Sequence, residues 1–414
     1  MTLRLQFPRR MAFYQACVIM FFVIFLTEYI LLYRHAGWAV SGTNGSFVQG
    51  AVTTPITALM RVGGYVALVM ALVLRIQMLR IRVPQLLAIL VMTMFGIGWT
   101  IHALFTTTLK VAVYDAATPV FWLCSITMLI GYEEESWKIF SKALPILGLI
   151  LLVLSVKELF EYQRMVGIMS AQRITYSALL YFFIYSFWLL AASVFINDNA
   201  IRTYGALLIV ATALLVIMAM IFRSRGWMIQ TLTLFVYTVV RNGIRWKDKK
   251  KAILFYTICI VFVIYVFWDM LFYLSGPLRE RLLADSRSHQ YDVFFQQVDK
   301  VQLITGQGIN ATYSFTGTST TYRFFDNQFI LEMFRYGITP ILLYTIMLIR
   351  PLWTAMVRFD WDLLRRSMVI VMWMLAMAGL SVYFNLNANV HCGAMWVVIG
   401  RLNYLCSKPK GERS

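Results

Sequence analysis

Cysteine is scarce and scattered in this chain. Cys17, Cys124, Cys259, Cys392 and Cys406 show no C-x-x-C or zinc spacing, and most lie inside apolar runs. A disulfide framework and a structural metal are therefore not expected. Histidine is as sparse: His35, His102, His289 and His391 are too dispersed to read as a metal site. No soluble domain separates from the rest, and no internal repeat is visible. A cleavable leader is not expected either. The opening MTLRLQFPRR precedes an apolar run that continues past Leu32, with no small-x-small site after a short apolar core. That start reads as an uncleaved first span.

What the chain has in abundance is apolar surface. It is 414 residues long, 60% hydrophobic, with a mean hydropathy of +0.71. Such a composition excludes an ordinary soluble domain and predicts an all-α polytopic membrane protein, one integral domain over 1–414. The net charge of +18 would indicate nucleic acid in a water-soluble chain. Here the basic residues sit in short clusters between apolar runs, which is the positive-inside pattern.

With about 20 apolar residues needed per crossing, roughly twelve spans are predicted. They fall near 12–33, 56–74, 86–108, 118–132, 143–157, 176–196, 205–222, 227–240, 252–275, 326–349, 368–386 and 391–405. The basic loops RIQMLRIR (75–82), RNGIRWKDKKK (241–251) and RPLWTAMVRFDWDLLRR (350–366) set the cytoplasmic side, and both termini fall there. The opposite side carries one long loop, 276–325. Its first part mixes charges with Leu278, Leu282, Leu283, Val293, Phe294 and Phe295, so an amphipathic helix on the outer headgroups is expected. Its second part, TGQGINATYSFTGTSTTYRFF, reads as an irregular loop. The sequons at Asn44 and Asn310 are chance matches if the source is bacterial, and they are given no weight.

Ionisable residues inside spans are costly and mark candidate sites. Glu28, Arg61, Asp269, Asp326, Glu332 and Arg335 all fall in the outer halves of their predicted helices; Arg401 is the exception. Snorkelling groups and structural pairs account for any one of them. Their shared outer bias favours a cavity open to the outer leaflet. In RSRGW (223–227), Ser224 is placed to cap the next helix, and that helix start with Arg223 and Arg225 would make an anion site. An ordinary turn with arginines facing headgroups is the alternative. In DNQFILEMFRYGI (326–338), Asp326 is a candidate cap, while Glu332 and Arg335 share a face and are expected to pair.

The order of these features resembles the O-antigen ligase and O-antigen polymerase superfamily of bacterial envelope glycosyltransferases. The resemblance rests on SRG at an outer turn, Ser286-Arg287 in the long loop, the Gly306 to Gly308 GQG, and the Asp-Asn helix ending in Gly-Ile. It covers roughly residues 205–350. Ligases of that superfamily resemble a His-Asn pattern at the helix mouth. This chain has Asp326-Asn327, as O-antigen and capsule polymerases often do, which favours a polymerase.

The resemblance implies a donor glycan on undecaprenyl diphosphate and an acceptor hydroxyl on another lipid-linked repeat unit. It implies reaction at the periplasmic face of the inner membrane, with no cofactor, nucleotide sugar or metal, and a chain-length regulator as a partner. Under it, Arg225 and Arg287 contact the diphosphate, with Arg223, Arg279 and Arg61 behind them. Asp326 orients or deprotonates the acceptor, with His289 second. Asn327 and the Gly306–Gly308 turn shape the sugar site. Tyr313 and Tyr322, with Phe324 and Phe325, offer rings for sugar stacking, although aromatic belts at the membrane surface account for such residues equally well. A ligase acting on lipid A–core is the alternative within the class. A lipid-linked glycan flippase and a scaffold subunit are the alternatives outside it; the absent repeat and the one-sided polar groups weigh against transport.

Overall fold

The computed structural model describes residues 8–34, 38–40, 47–49, 54–75, 83–114, 118–166, 178–221, 225–243, 286–314, 321–322, 325, 327–380 and 390–408, with isolated positions between 257 and 268. The first half contains α1 (Pro8–Arg34), β1 (Trp38–Val40), β2 (Phe47–Gln49), α2 (Pro55–Arg75), α3 (Val83–Thr106), α4 (Leu109–Tyr114), α5 (Val120–Leu123), α6 (Met128–Tyr132), α7 (Glu134–Val166), α8 (Ala178–Ile196) and α9 (Asp198–Ile221). The second half contains α10 (Arg225–Gly243), α11 (Ser286–Gln297), α12 (Lys300–Thr305), β3 (Tyr313–Ser314), β4 (Thr321–Tyr322), α13 (Gln328–Tyr336), α14 (Ile338–Val357), α15 (Trp361–Leu375) and α16 (Val390–Ser407). Both strand pairs, β1 with β2 and β3 with β4, are short antiparallel hairpins.

Among the described residues six helices are long and apolar enough to cross a membrane, within α1, α3, α7, α8, α9 and α14. The architecture is thus all-α and of membrane type. α8 is apolar on every face and wholly buried; it packs along α7 and also touches α9, α15 and α16. That is the signature of a central helix. α3 is equally greasy but mostly exposed, with Leu90, Met94, Ile97 and Ile101 turned outward.

Several expected spans take a different form. The 118–132 stretch is not one helix: α5 and α6 are joined by a tighter 3₁₀ turn, Cys124–Thr127. Hydroxyls explain the change, because side-chain bonds to backbone compete with the helical ladder. The Thr127 hydroxyl donates to the Cys124 carbonyl at 2.7 Å and reaches the Gly393 carbonyl at 3.1 Å. Gly131 and Gly400 also let α6 and α16 cross backbone against backbone, where any Cβ would strike the partner helix. The expected 205–222 span is the far side of a kink at Tyr204 within α9. The expected 326–349 span is broken at Gly337, so the membrane-length helix is α14 and the Asp-Asn helix is a separate element, α13. The 252–275 span falls largely outside the described residues, as do all of 276–285 and Asp269.

The bundle has two chemically different ends. At one end, Asp198 is gripped by Arg241, by Arg365 at 3.2 Å and by Arg366 at 3.0 Å, and Arg366 also holds Asp362 at 2.9 Å. Burial works to raise the Asp362 carboxyl, but the neighbouring guanidinium groups of Arg365 and Arg366 outweigh it and hold the group below its usual range. Close to this cluster in space, Arg401 forms a two-pronged bond with Glu134 at 2.9 and 3.1 Å and lies over the rings of Trp137 and Tyr404. The exceptional Arg401 therefore has a structural partner. These are the helix ends that flank the basic loops. The opposite end carries the polar segment 286–337.

Candidate functional site

The polar segment folds on a small core of its own. α11, α12, the β3–β4 hairpin and α13 surround Phe294, Ala311, Tyr313, Phe325, Leu331 and Phe334. The Phe294 ring stands edge-on to Phe325 at 4.7 Å and to Phe334 at 5.3 Å. Ser314 donates its amide N–H to the Gln297 side chain at 3.1 Å, tying β3 to α11. Asp299 and Gln302 close a reciprocal capping box on α12. Phe294 was expected on a headgroup-facing surface; it is instead buried in this core, while Phe295 is exposed.

The Asp-Asn helix is fastened at both ends. At its start, the Asn327 side-chain oxygen accepts the amide N–H of Phe329 at 3.0 Å and of Ile330 at 3.3 Å. That is an N-cap, and it leaves this oxygen committed to the helix. Asn327→Ala is expected to cost about 1 kcal/mol of stability and Asn327→Ser a few tenths, read as thermal midpoints of the purified protein. Equal losses in the two variants would remove the capping role. At the helix end, Gln307 donates its amide to the Phe334 carbonyl at 3.0 Å and Gly308 donates to Arg335 at 2.7 Å. The Gly306 amide is taken by Gln302 at 2.8 Å. All three amides of the GQG turn therefore serve helix carbonyls that would otherwise be orphaned. The turn is a clamp on α13.

Below the clamp, α13 meets the bundle. Glu332 and Arg335 are fully buried. The Trp122 indole N–H donates to Glu332 Oε2 at 3.1 Å from α5, and Arg335 stands one helical turn further along α13. Glu332 Oε1 has no hydrogen-bond partner among the described residues. Tyr336 stands edge-on to Trp99 of α3 at 5.6 Å, and Trp99 to His102 at 5.2 Å. The Asn310 side-chain amide donates to the Thr106 carbonyl at the end of α3, at 3.3 Å. Sequence reasoning missed Trp122, Trp99 and His102. Only contacts far apart in sequence reveal them, and a lone Trp or His in an apolar run carries no local signal.

The remaining candidates separate as follows. Arg225 opens α10, and Arg287 and His289 lie in the first turns of α11; their backbones are described and their side chains are not. The same holds for Tyr322 in β4. Arg223, Arg279, Phe324 and Asp326 lie outside the described residues, as does Ser224. Asn327, the next residue in sequence, is the N-cap of α13. Tyr313 is buried, with its ring stacked on Phe325 at 4.3 Å, so that ring face holds the segment's core together. Arg61 is also buried and bonded to Glu28 at 2.6 Å, across α1 and α2. The segment Ala376–Leu380, a widened helical turn after α15, touches both α10 and α13. α10, which Arg225 opens, and α13, which Asn327 caps, thus share a neighbour.

No protein-family model, no curated protein and no solved structure matches this chain. The family likeness rests on the residues quoted from the sequence.

Proposed function

We propose that the chain is a polysaccharide polymerase of the bacterial envelope, joining oligosaccharide repeat units carried on undecaprenyl diphosphate at the periplasmic face of the inner membrane. One observation carries this reading: α10 and α13 pack on the same segment, Ala376–Leu380, and α11 is joined to α13 through Phe294. Arg225, Arg287 and His289 thereby lie on elements that share packing neighbours with α13.

The chemistry asked of such a site is modest. An acceptor hydroxyl attacks the anomeric carbon, the bond from that carbon to the diphosphate oxygen breaks, and the lipid diphosphate leaves with the bonding pair. The hydroxyl proton goes to Asp326, the candidate base, with His289 second. Arg225 and Arg287, with Arg223 and Arg279 behind them, neutralise the departing diphosphate, and guanidinium groups keep their charge while doing so. Arg61 is assigned to Glu28 and leaves this set. Asn327 and the Gly306–Gly308 clamp act by holding Asp326 in place.

The test supplies purified protein in detergent with lipid-linked repeat units and no ion gradient. Ladders of lengthened lipid-linked glycan are expected, and Arg225→Lys and Arg287→Lys are each expected to lower the rate about 100-fold at unchanged protein abundance. Lengthening only when a lipid A–core acceptor is present would make the chain a ligase. Movement of glycan across vesicles without lengthening would make it a transporter.

A further inference from the structure

Glu332 takes no part in the transfer steps, yet it is a fully buried carboxyl at the joint between α13 and the bundle. Oε2 accepts the Trp122 indole N–H, and Oε1 has no hydrogen-bond partner among the described residues. Arg335, three residues on, acts on Glu332 as a charge but donates no hydrogen bond to it. Trp122 is a fixed partner. Its ring stands edge-on to Phe121 at 4.9 Å and to Tyr344 of α14 at 5.9 Å. Tyr344 in turn accepts the Trp373 indole N–H and donates to Met377 Sδ at 3.3 Å. The Phe329 ring of α13 lies 6.5 Å from Tyr344, and the Phe329 amide is one that Asn327 caps. The capped first turn of α13 and the turn that carries Glu332 therefore rest on one aromatic wall. Apolar contacts with that wall have no direction. The hydrogen bond has one, and it sets the rotation of α13 about its own axis.

We infer that Glu332 is a positioning residue, which as a neutral carboxylic acid fixes α13 against Trp122 and so sets the Asn327 end of the helix. The joint rests on its own geometry; its bearing on catalysis rests on the proposed polymerase reading. An ionised carboxylate here would bury its charge with one neutral donor, which is costly. A carboxylic acid still accepts the indole N–H and carries no charge. α13 is not among the helices of membrane-crossing length. Burial pushes the Glu332 carboxyl up to about 8, against the opposite pull of Arg335 and of the indole bond. The titratable groups on the elements around it are Tyr344, Tyr313 in the core of the polar segment, and His102 of α3 beyond Trp99. α5 and 376–380 carry none, and Asp292, Asp299 and Lys300 of α11 and α12 are exposed. A carboxyl raised in this way favours the docked helix fully below the ordinary carboxylate range. That benefit is lost as pH rises through about 8.

The experiment follows amide hydrogen exchange over 327–336 in the purified full chain. Between about pH 6 and about pH 9, corrected for intrinsic rates, protection in the parent is expected to fall about tenfold or more. Glu332→Gln keeps the acceptor and cannot ionise, so it is expected to hold the parent's acid-side protection throughout. Trp122→Phe removes the donor and is expected to lose protection throughout. A parent whose protection does not change with pH overturns the inference. So does Glu332→Gln exchanging on the acid side as fast as the parent does on the alkaline side, which would mean that the charge itself holds the helix. The readout needs no turnover. In the glycan-lengthening assay, Glu332→Gln is also expected to extend activity toward alkaline pH, a shift that a merely structural residue would not give. An unchanged activity profile would overturn the bearing on catalysis. The expected exchange without lengthening by the parent would uphold the joint and remove the polymerase reading.

Discussion

Replacing Gly337 by alanine is expected to release the polar segment from the bundle at a cost of about 3 kcal/mol or more. Two physical terms act together. Gly337 has φ of 84°, a conformation that L side chains adopt only at a cost. Its missing Cβ is also where the chain from α12 passes: an added methyl would sit on the Ile304 carbonyl oxygen and 3.1 Å from the Thr305 carbonyl carbon. Backbone cannot yield as a flexible side chain does. Gly306 mirrors this arrangement, with φ of 79° and its missing Cβ 2.6 Å from the Tyr336 carbonyl carbon. The two glycines let the GQG clamp and the end of α13 lie backbone to backbone.

The loss should be local. α14 begins at Ile338 and, besides touching α12 and α13, packs more extensively against α15 and α16. Limited proteolysis of the Gly337→Ala protein should therefore cut within 286–336 at least tenfold faster, while the bundle stays intact. Gly63→Ala, with open space around it, should leave the cutting rate unchanged. A Gly337→Ala protein that resists proteolysis like its parent would show that the clamp is not what holds α13.

Removing one partner of the Glu28–Arg61 pair is expected to cost about 3–5 kcal/mol, because the other charge stays buried without its opposite ion. Both side chains are almost fully enclosed, at 1% and 4% exposure, between α1 and α2. The cost of the double replacement is different. Glu28→Leu with Arg61→Leu removes both charges and should recover all but about 1 kcal/mol, since apolar pairs of similar volume often match a buried ion pair. Thermal unfolding of the two single variants and the double variant forms a cycle that isolates the coupling. Glycan lengthening by the double variant then separates the two roles read for Arg61. Full activity assigns it to the α1–α2 hairpin. A stable but inactive double variant returns it to the diphosphate.

Much of the site was legible in residue type and order. Asn327 looked like a helix mouth and is a cap; Gly306 and Gly308 looked like a special turn and have positive φ. Their roles were less legible. The turn was read as a sugar-binding surface, yet its amides are spent on Phe334, Arg335 and Gln302. No local pattern announces which carbonyls, thirty residues away, a turn will serve. Tyr313 and Arg61 show the same limit: an aromatic or a cation near a membrane surface reads as a ligand group until its neighbour is known, here Phe325 and Glu28.

Composition and the clustering of basic residues determined, without any structure, that this chain is a helical membrane protein with one polar segment of unusual length. They could not determine which helices lie inside. α3 and α8 are alike in sequence, but one faces outward and the other is wholly enclosed. Lipid tails and a protein interior are equally apolar, so hydropathy cannot tell them apart. Tertiary structure decided that, and it decided that the Asp-Asn helix is a separate piece clamped by glycines, because backbone contacts between distant segments depend on the missing Cβ and not on any pattern along the chain.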